Sequence, residues 1–319
     1  MQGLMAIYRK ELADHFSSYR FVILFALIAM VSFITSYMAG INLRENLEGI
    51  AKPKFVFLML FNARGALFSM VQFVAFFGPL IGIVLGFDTI NRERAHGTLI
   101  KLISQPIYRD SVINGKFLAG VSTITIMLIS IVLVISGFGL TLLGIIPGIE
   151  EIWRLLIYLI ISIFYISFWL GISILFSISF KNIATSALAS VALWIFLSFF
   201  ISLGASVAAD TIAPVEHKEK TDPEVIIKNA HMKETISLFS PMVLYSDATA
   251  IIIDPTRKTT RTLVLMGPME QISASRFQNP LSFGQSIIVV YPHLVALVAI
   301  TLLCFAISYM VFMLQEIRT

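Results

Sequence analysis

A chain of 319 residues that is 57% hydrophobic, with mean hydropathy +0.88 and only 13% charged residues, lies outside the range of soluble globular domains and inside that of polytopic membrane proteins. Bilayer crossings of roughly 20 residues each use this length as a single transmembrane domain, 1–319. The lone Cys304 excludes an intrachain disulfide and a cysteine metal cluster, and a net charge of +4 gives no argument for nucleic acid as a partner.

The opening MQGLMAIYRKELADHF lacks the apolar core and small-residue cleavage site of a secretory signal. Read as a helix over 4–20, it places Leu4, Met5, Tyr8, Leu12, Phe16 and Tyr19 on one stripe. Arg9, Lys10, Glu11, Asp14 and Arg20 fall elsewhere, the pattern of an amphipathic helix lying in the membrane interface. Six runs are long and apolar enough to cross a bilayer of roughly 30 Å: 21–41, 66–87, 117–146, 155–180, 183–208 and 286–314. The third is overlong, so a bend is expected near Gly137 and Gly139 and an end at Pro147. Only the polar turn at Lys181 and Asn182 separates the fourth and fifth, which implies an antiparallel hairpin. The expected fold is therefore an all-α polytopic membrane protein in contact with the lipid bilayer.

Between the second and third spans lies a charged island, 88–116, with Arg92, Arg94, Lys101, Arg109 and Lys116 beside Asp88, Glu93 and Asp110. Such charge density is expected to lie in water. Within it, Leu99, Leu102 and Ile103 share one face of a short helix after Gly97, interrupted at Pro106. The basic residues of the N-terminus, the island, Lys181 and Arg318 outnumber Arg44, Lys52, Lys54, Arg64 and Arg154 of the alternate loops. The positive-inside rule then makes both termini and the island cytoplasmic. On the outer side, 209–285 opens with Asp222 as a helix cap and Pro223 at the first helical position, for a helix to about Met232. The run 240–254 is too short to cross and is bounded by Pro241 and Pro255. It reads as a re-entrant or interfacial helix, or equally as part of an extracytoplasmic cap, and 256–285 reads as loop or short strand.

Several function classes are disfavoured. The six spans contain no Asp, Glu, Lys or Arg, which removes the buried ionisable groups that ion-driven carriers use. His293 is the one imidazole in a span and has no visible partner, so it reads as a hydrogen-bonded residue rather than a proton relay. There is no H-E-x-x-H zinc motif and no G-x-x-x-x-G-K-[ST] phosphate loop, so no nucleotide or other cofactor is expected on this chain. LSFGQ at 281–285 looks like the signature sequence of ABC ATPases but has no phosphate loop to accompany it. A Phe-rich, uncharged path suits an amphipathic or lipid-like cargo.

The island run Asp88-x-Ile90-x-x-Glu93-Arg94-x-x-Gly97-Thr98-Leu99, then Leu102-Ile103-Ser104-x-Pro106-Ile107-x-Arg109, resembles the cytoplasmic loop of type-2 ABC transporter permeases. Tyr8-Arg9-Lys10-Glu11-Leu12 resembles their N-terminal connecting helix. Ser240-Pro241-x-x-Leu244-Tyr245 and the closing Ser308-Tyr309-x-x-Phe312-x-x-Gln315-Glu316-Ile317-Arg318 are similar to the subfamily that includes the nitrous-oxide-reductase maturation permease. The resemblance implies a multi-pass permease of a prokaryotic inner membrane, paired with a second copy or a similar permease. It implies separate ABC ATPase subunits that carry ATP and Mg, and export rather than import. It also implies that Asp88, Arg92, Glu93, Arg94, Gly97, Thr98, Leu99, Leu102, Ile103, Pro106 and Arg109 form the coupling contact. There Glu93 and Arg94 supply charge, Gly97 a close turn, Thr98 a cap and Leu99 the first apolar anchor. Ser240, Pro241 and Tyr245 mark the re-entrant helix. An extracytoplasmic partner for 209–285 stays open, as does an ATPase-driven signalling role without transport.

Overall fold

One helix, the fourth of the six long ones, is the axis on which the others are hung. The computed structural model describes residues 2–47, 55–62, 69–99, 107–214, 223–258 and 279–315. In chain order they form α1 (Gln2–Ser17), α2 (Tyr19–Leu47), a 3-10 turn (Leu58–Leu60), α3 (Met70–Gly86), the short α4 (Asn91–Ala95), α5 (Arg109–Leu143) and α6 (Ile149–Ser179). Then follow α7 (Ile183–Ile195), a π segment (Phe196–Phe200), α8 (Ile201–Ile212), α9 (Pro223–Ser237), α10 (Pro241–Ile253) and α11 (Phe283–Leu314). No strand occurs among the described residues. Among the described residues, six helical stretches are long and apolar enough to cross a membrane: Tyr19–Leu43, Met70–Ala95, Arg109–Thr141, Ile149–Ser179, Ile183–Ile212 and Phe283–Leu314. The chain is an all-helical, multi-pass membrane protein.

Local chemistry sets the ends. Ser69 caps α3 in a reciprocal box with Gln72, each reaching the other's backbone amide at 3.2 and 3.0 Å. Asn182 Oδ1 accepts from the Ala184 amide at 2.8 Å to open α7. Gly144, at φ 61, ends α5 in the left-handed conformation that glycine adopts without a Cβ clash. LSFGQ turns out to be a cap: Ser282 is the N-cap of α11 and its amide donates to Gln285 Oε1 at 3.1 Å.

The axial helix α6 meets α3 on one side through glycines spaced by four. A Cβ built on Gly82 would lie 2.5 Å from the Ile166 carbonyl oxygen, and one on Gly86 would lie 2.8 Å from Ser173 Cβ. The two backbones therefore approach at a separation only glycine permits. The Tyr165 hydroxyl donates to the Ala75 carbonyl at 2.7 Å and Ser173 Oγ to the Ile83 carbonyl at 2.9 Å. On its other side α6 is bound to α11 by a ladder in heptad register. Thr301 Oγ1, Ser308 Oγ and Gln315 Nε2 reach the carbonyls of Phe164, Gly171 and Ile178 at 3.1, 3.1 and 3.2 Å, the two hydroxyls sharing their proton with the Leu297 and Cys304 carbonyls of their own helix at 2.7 and 2.9 Å. A constant seven-residue step on both helices is what near-parallel left-handed packing requires.

The structure moves several expected boundaries. α5 continues uninterrupted through Gly137 and Gly139, and it begins at Arg109, so the last eight residues of the island are the first turns of a span rather than loop. α9 runs to Ser237, past the expected end at Met232, while Asp222 lies outside the described residues. α9 and α10 bend by 104° at their junction. α10 packs among α3, α6 and α11 with Leu244, Tyr245, Ala248, Ile251 and Ile252 buried, so its apolar run is satisfied by protein. Tyr245 stacks on Tyr165 with 4.3 Å between centroids, and its hydroxyl shares a 2.9 Å hydrogen bond with Ser162 Oγ.

Candidate functional site

The described residues of the island are docked on the spans, with Arg92 and residues 95–98 left exposed. α3 ends at Gly86, and the chain then turns onto the end of α6, where Ser177 Oγ accepts from the amides of Ile90 and Asn91 at 2.9 and 3.2 Å. That one hydroxyl satisfies two orphan amides at the start of α4. α4 is stopped by Gly97 at φ 67, with open space around its Cα. Thr98 Oγ1 donates back to the Glu93 carbonyl at 3.2 Å, which ties the threonine to α4. Leu99, expected to face a partner, is 1% exposed and sits in the chain's own core. Burying that side chain outweighs leaving it for a groove elsewhere. Leu102, Ile103 and Pro106 lie outside the described residues.

Asp88, Glu93, Arg94, Arg109 and Lys116 of the island are engaged within the chain. Lys116, on the second turn of α5, is 3% exposed and bridges two carboxylates, Glu11 Oε1 of α1 at 2.8 Å and Glu93 Oε1 of α4 at 2.9 Å. Lys10 reaches the same two oxygens at 3.2 and 3.4 Å. Two cations and two anions thus tie three elements together, with a balance of charge that makes burial tolerable. Burial pushes the Glu11 carboxyl up, but Lys116 and then Lys10 overcome it and hold it below the usual carboxylate range. Burial likewise opposes the charged form of Lys10, but Glu11 and Glu93 raise its ammonium above its ordinary value. Beside them burial lowers the His15 imidazole. Glu11, expected on the polar face of an interfacial helix, is buried together with Ile7. α1 docks on α5 where a Cβ on Gly115 would come within 2.9 Å of Ile7 Cγ2, while Met5, Phe16 and Tyr19 of the apolar stripe stay exposed.

A second junction fastens the other flank. Arg94 Nη2 donates to Gln315 Oε1 at 2.9 Å, and Arg109 Nη2 donates to the Gln315 carbonyl at 2.9 Å while its guanidinium lies 5.8 Å over the Phe312 ring. At the edge nearest α2, Arg20 pairs with Asp88 at 2.7 Å and lies 5.4 Å over Phe87. Between α1, the start of α2, the end of α3 and α4 is a cleft of about 470 Å³, with Arg92 and His96 among the exposed residues at its edge. Among the sequence-derived residues, the structure thus brings Asp88, Glu93, Arg94, Thr98, Leu99 and Arg109 into one assembly, leaves Arg92 outward, and uses Gly97 as the turn. Tyr245 lies instead against the middle of α6, at Ser162 and Tyr165, and Ser240 and Pro241 are buried at the start of the same α10.

Two residues that matter here were given no role in the sequence reading. Gln315, the C-cap of α11, could have been found as the third member of a seven-residue polar repeat with Thr301 and Ser308. Arg154, counted only as a loop cation, is fully buried at the far end of α6. It donates to Glu150 Oε1 at 2.9 Å, Ser286 Oγ at 3.0 Å, and the carbonyls of Leu281 and Ile252 at 2.8 and 3.3 Å, between the rings of Phe55 and Phe283.

A family model described as ABC-2 family transporter protein matches residues 5–317. The chain is also 33% identical over 85 residues to the probable ABC transporter permease protein NosY of Pseudomonas aeruginosa, an overlap of 26% of this chain and 29% of that one. That match therefore covers less than a third of the relative's length.

Proposed function

The chain belongs to the ABC-2 family of transporter proteins, a family of membrane permease subunits, and from that premise we propose that it exports a substrate with energy supplied by separate ATP-binding subunits acting at the island. In this reading the island and both termini are cytoplasmic, as the distribution of Lys and Arg favours. ATP and Mg reside on the partner subunits, and a second copy of the permease or a similar one completes the pathway across an inner membrane.

The observation that carries the proposal is the Lys116 junction. A force applied to α4 cannot stay local, because Glu93 is tied through Lys116 to both α1 and α5, and the backbone of α4 is held on α6 by Ser177. The island is thus built as a lever with its outward surface at Arg92 and His96 and its inner surface locked to three long elements.

The test is co-expression with a candidate ATP-binding subunit, followed by co-purification and uptake of labelled amphipathic compounds into inverted vesicles. The charge reversal Arg92→Glu, at a residue the fold does not bury, is expected to weaken co-purification at least tenfold with insertion unchanged. Equal co-purification and uptake by parent and variant would overturn the coupling contact. ATP hydrolysis without uptake, accompanied by movement in 209–285, would replace export by an ATPase-driven signalling role, to which the Arg154 link between α6 and α10 lends support.

A further inference from the structure

The helices α6 and α11 are joined along their length and clasped at both ends, and we propose that they act as one rod that carries displacement of the island to α10 at the far side. Gln315 is the positioning residue that fastens this rod to the island. The inference rests on the preceding reading that an ATPase works at the island.

Three observations support the rod. First, the ladder from Thr301 to Gln315 repeats the same side-chain-to-carbonyl bond at three successive heptads, over 14 residues or about 21 Å of helix. A Cβ on Gly171 would meet Cys304 Sγ at 3.3 Å, so the helices are in close contact at its middle rung. Sliding one helix past the other by a turn would break all three cross-helix contacts at once, although the Thr301 and Ser308 hydroxyls would keep the Leu297 and Cys304 carbonyls of their own helix, so the Gln315 rung is the one lost without a substitute inside the helix.

Second, Gln315 uses all of its polar groups. Its amide oxygen accepts from Arg94, its amide nitrogen donates to the Ile178 carbonyl, its backbone oxygen accepts from Arg109, and its backbone amide donates to Val311. Its carboxamide accepts from a guanidinium on one side and donates to a helix-end carbonyl on the other, which an apolar side chain of similar size cannot do. The two arginines also face the negative ends of both helices of the rod, where cations are favoured. The joint therefore binds α4 and the start of α5 to the ends of α6 and α11 together. By contrast, the side-chain link described above from α2 to the island is the Arg20–Asp88 pair, whose arginine side chain is more than half exposed.

Third, the far end of the rod is not free. Arg154 of α6 donates to Ser286 of α11 and to the Ile252 carbonyl in the last turn of α10. Whatever moves α6 and α11 as a unit moves the end of α10 with them.

The experiment uses the permease co-purified with its ATP-binding subunit, in a Cys304→Ala background, with spin-label pairs at exposed positions. Tyr19→Cys with Tyr108→Cys reports the island side, and Ile146→Cys with Thr256→Cys, four residues past Ile252, reports the far side. In the parent, ATP with Mg is expected to change both distances. Gln315→Leu is expected to keep the ATPase subunit bound and the island-side change intact, while the far-side change is lost. Thr301→Val with Ser308→Ala, which cuts two rungs and leaves both arginine contacts in place, is expected to reduce the far-side change by at least half. A full far-side change in Gln315→Leu overturns the rod, and so does equal loss at both pairs in the two rung variants, since that would mean general loosening. A parent that binds no ATPase and shows no change at either pair defeats the reading of the island itself, an outcome distinct from the failure of Gln315 alone.

Discussion

Removing Lys116 is the sharpest perturbation of the island. Its ammonium is the shared partner of Glu11 and Glu93 at 2.8 and 2.9 Å, with 2% of the side chain exposed, and the two carboxylates are 11% and 13% exposed. Lys116→Met keeps the length and apolar stem but leaves two largely buried anions sharing only Lys10, itself half exposed. Breaking a buried pair from one side costs about 3–5 kcal/mol, mostly the penalty of the charges left behind. At about 1.4 kcal/mol per tenfold, 3 kcal/mol raises the opening equilibrium of the α1 junction on the order of 100-fold. Hydrogen exchange of the α1 amides in purified protein reads this directly. The expected result is that protection of the first turns of α1 collapses in Lys116→Met while α6 and α11 exchange as before. The combination Lys116→Met, Glu11→Gln, Glu93→Gln, which removes all three charges, should recover most of the protection. Unchanged α1 exchange in the single variant, or a triple variant worse than the single, would refute the argument that charge compensation holds α1 on α4 and α5.

Acidification should loosen the same junction. The folded Glu11 carboxyl lies below its unfolded value, so its stabilisation is present above the unfolded pKa and is lost as pH falls through the folded one. His15, buried and favoured neutral, adds a loss in the same direction below its unfolded value of about 6.5, and α1 exchange against pH measures both. Gly82→Ala drives a Cβ against the Ile166 carbonyl and should cost about 1–3 kcal/mol in thermal denaturation in detergent. Gly97→Ala meets nothing in space and should cost only the left-handed backbone strain, about 1–2 kcal/mol, whereas a Gly82→Ala variant as stable as the parent would contradict the packing described. Tyr245→Phe keeps the ring stack on Tyr165 and loses one hydroxyl bond to Ser162, an expected loss of about 1 kcal/mol in the same assay.

The six crossings were legible because an apolar run of about 20 residues has few alternatives to spanning. What sequence alone misplaced was burial at the boundaries. Glu11 and Lys116 read as surface charges because each is costly to bury singly, and only their meeting across 105 residues makes them inner groups. Leu99 read as an anchor for a partner because its helical face could be counted but not aimed, and the turn at Gly97 aims it inward. The glycines Gly82 and Gly86 carry a clear spacing, yet nothing in that spacing says whether a second copy or α6 fills the groove. The heptad of Thr301, Ser308 and Gln315 was visible as polarity, while the carbonyls that receive it carry no sequence signature at all.

Arg154 also sets an order of events during synthesis. Of its polar partners only Glu150 precedes it, whereas the Ile252 carbonyl, the Leu281 carbonyl and Ser286 Oγ come 98, 127 and 132 residues later. At roughly 5–20 residues per second, a guanidinium destined for full burial waits on the order of 7–26 s for its last acceptor. Until then α6 can insert but not settle. The helices made in the interval, α7 to α10, must find their places around an unfinished axis, and α11 acts as the closing stave that makes the earlier spans permanent.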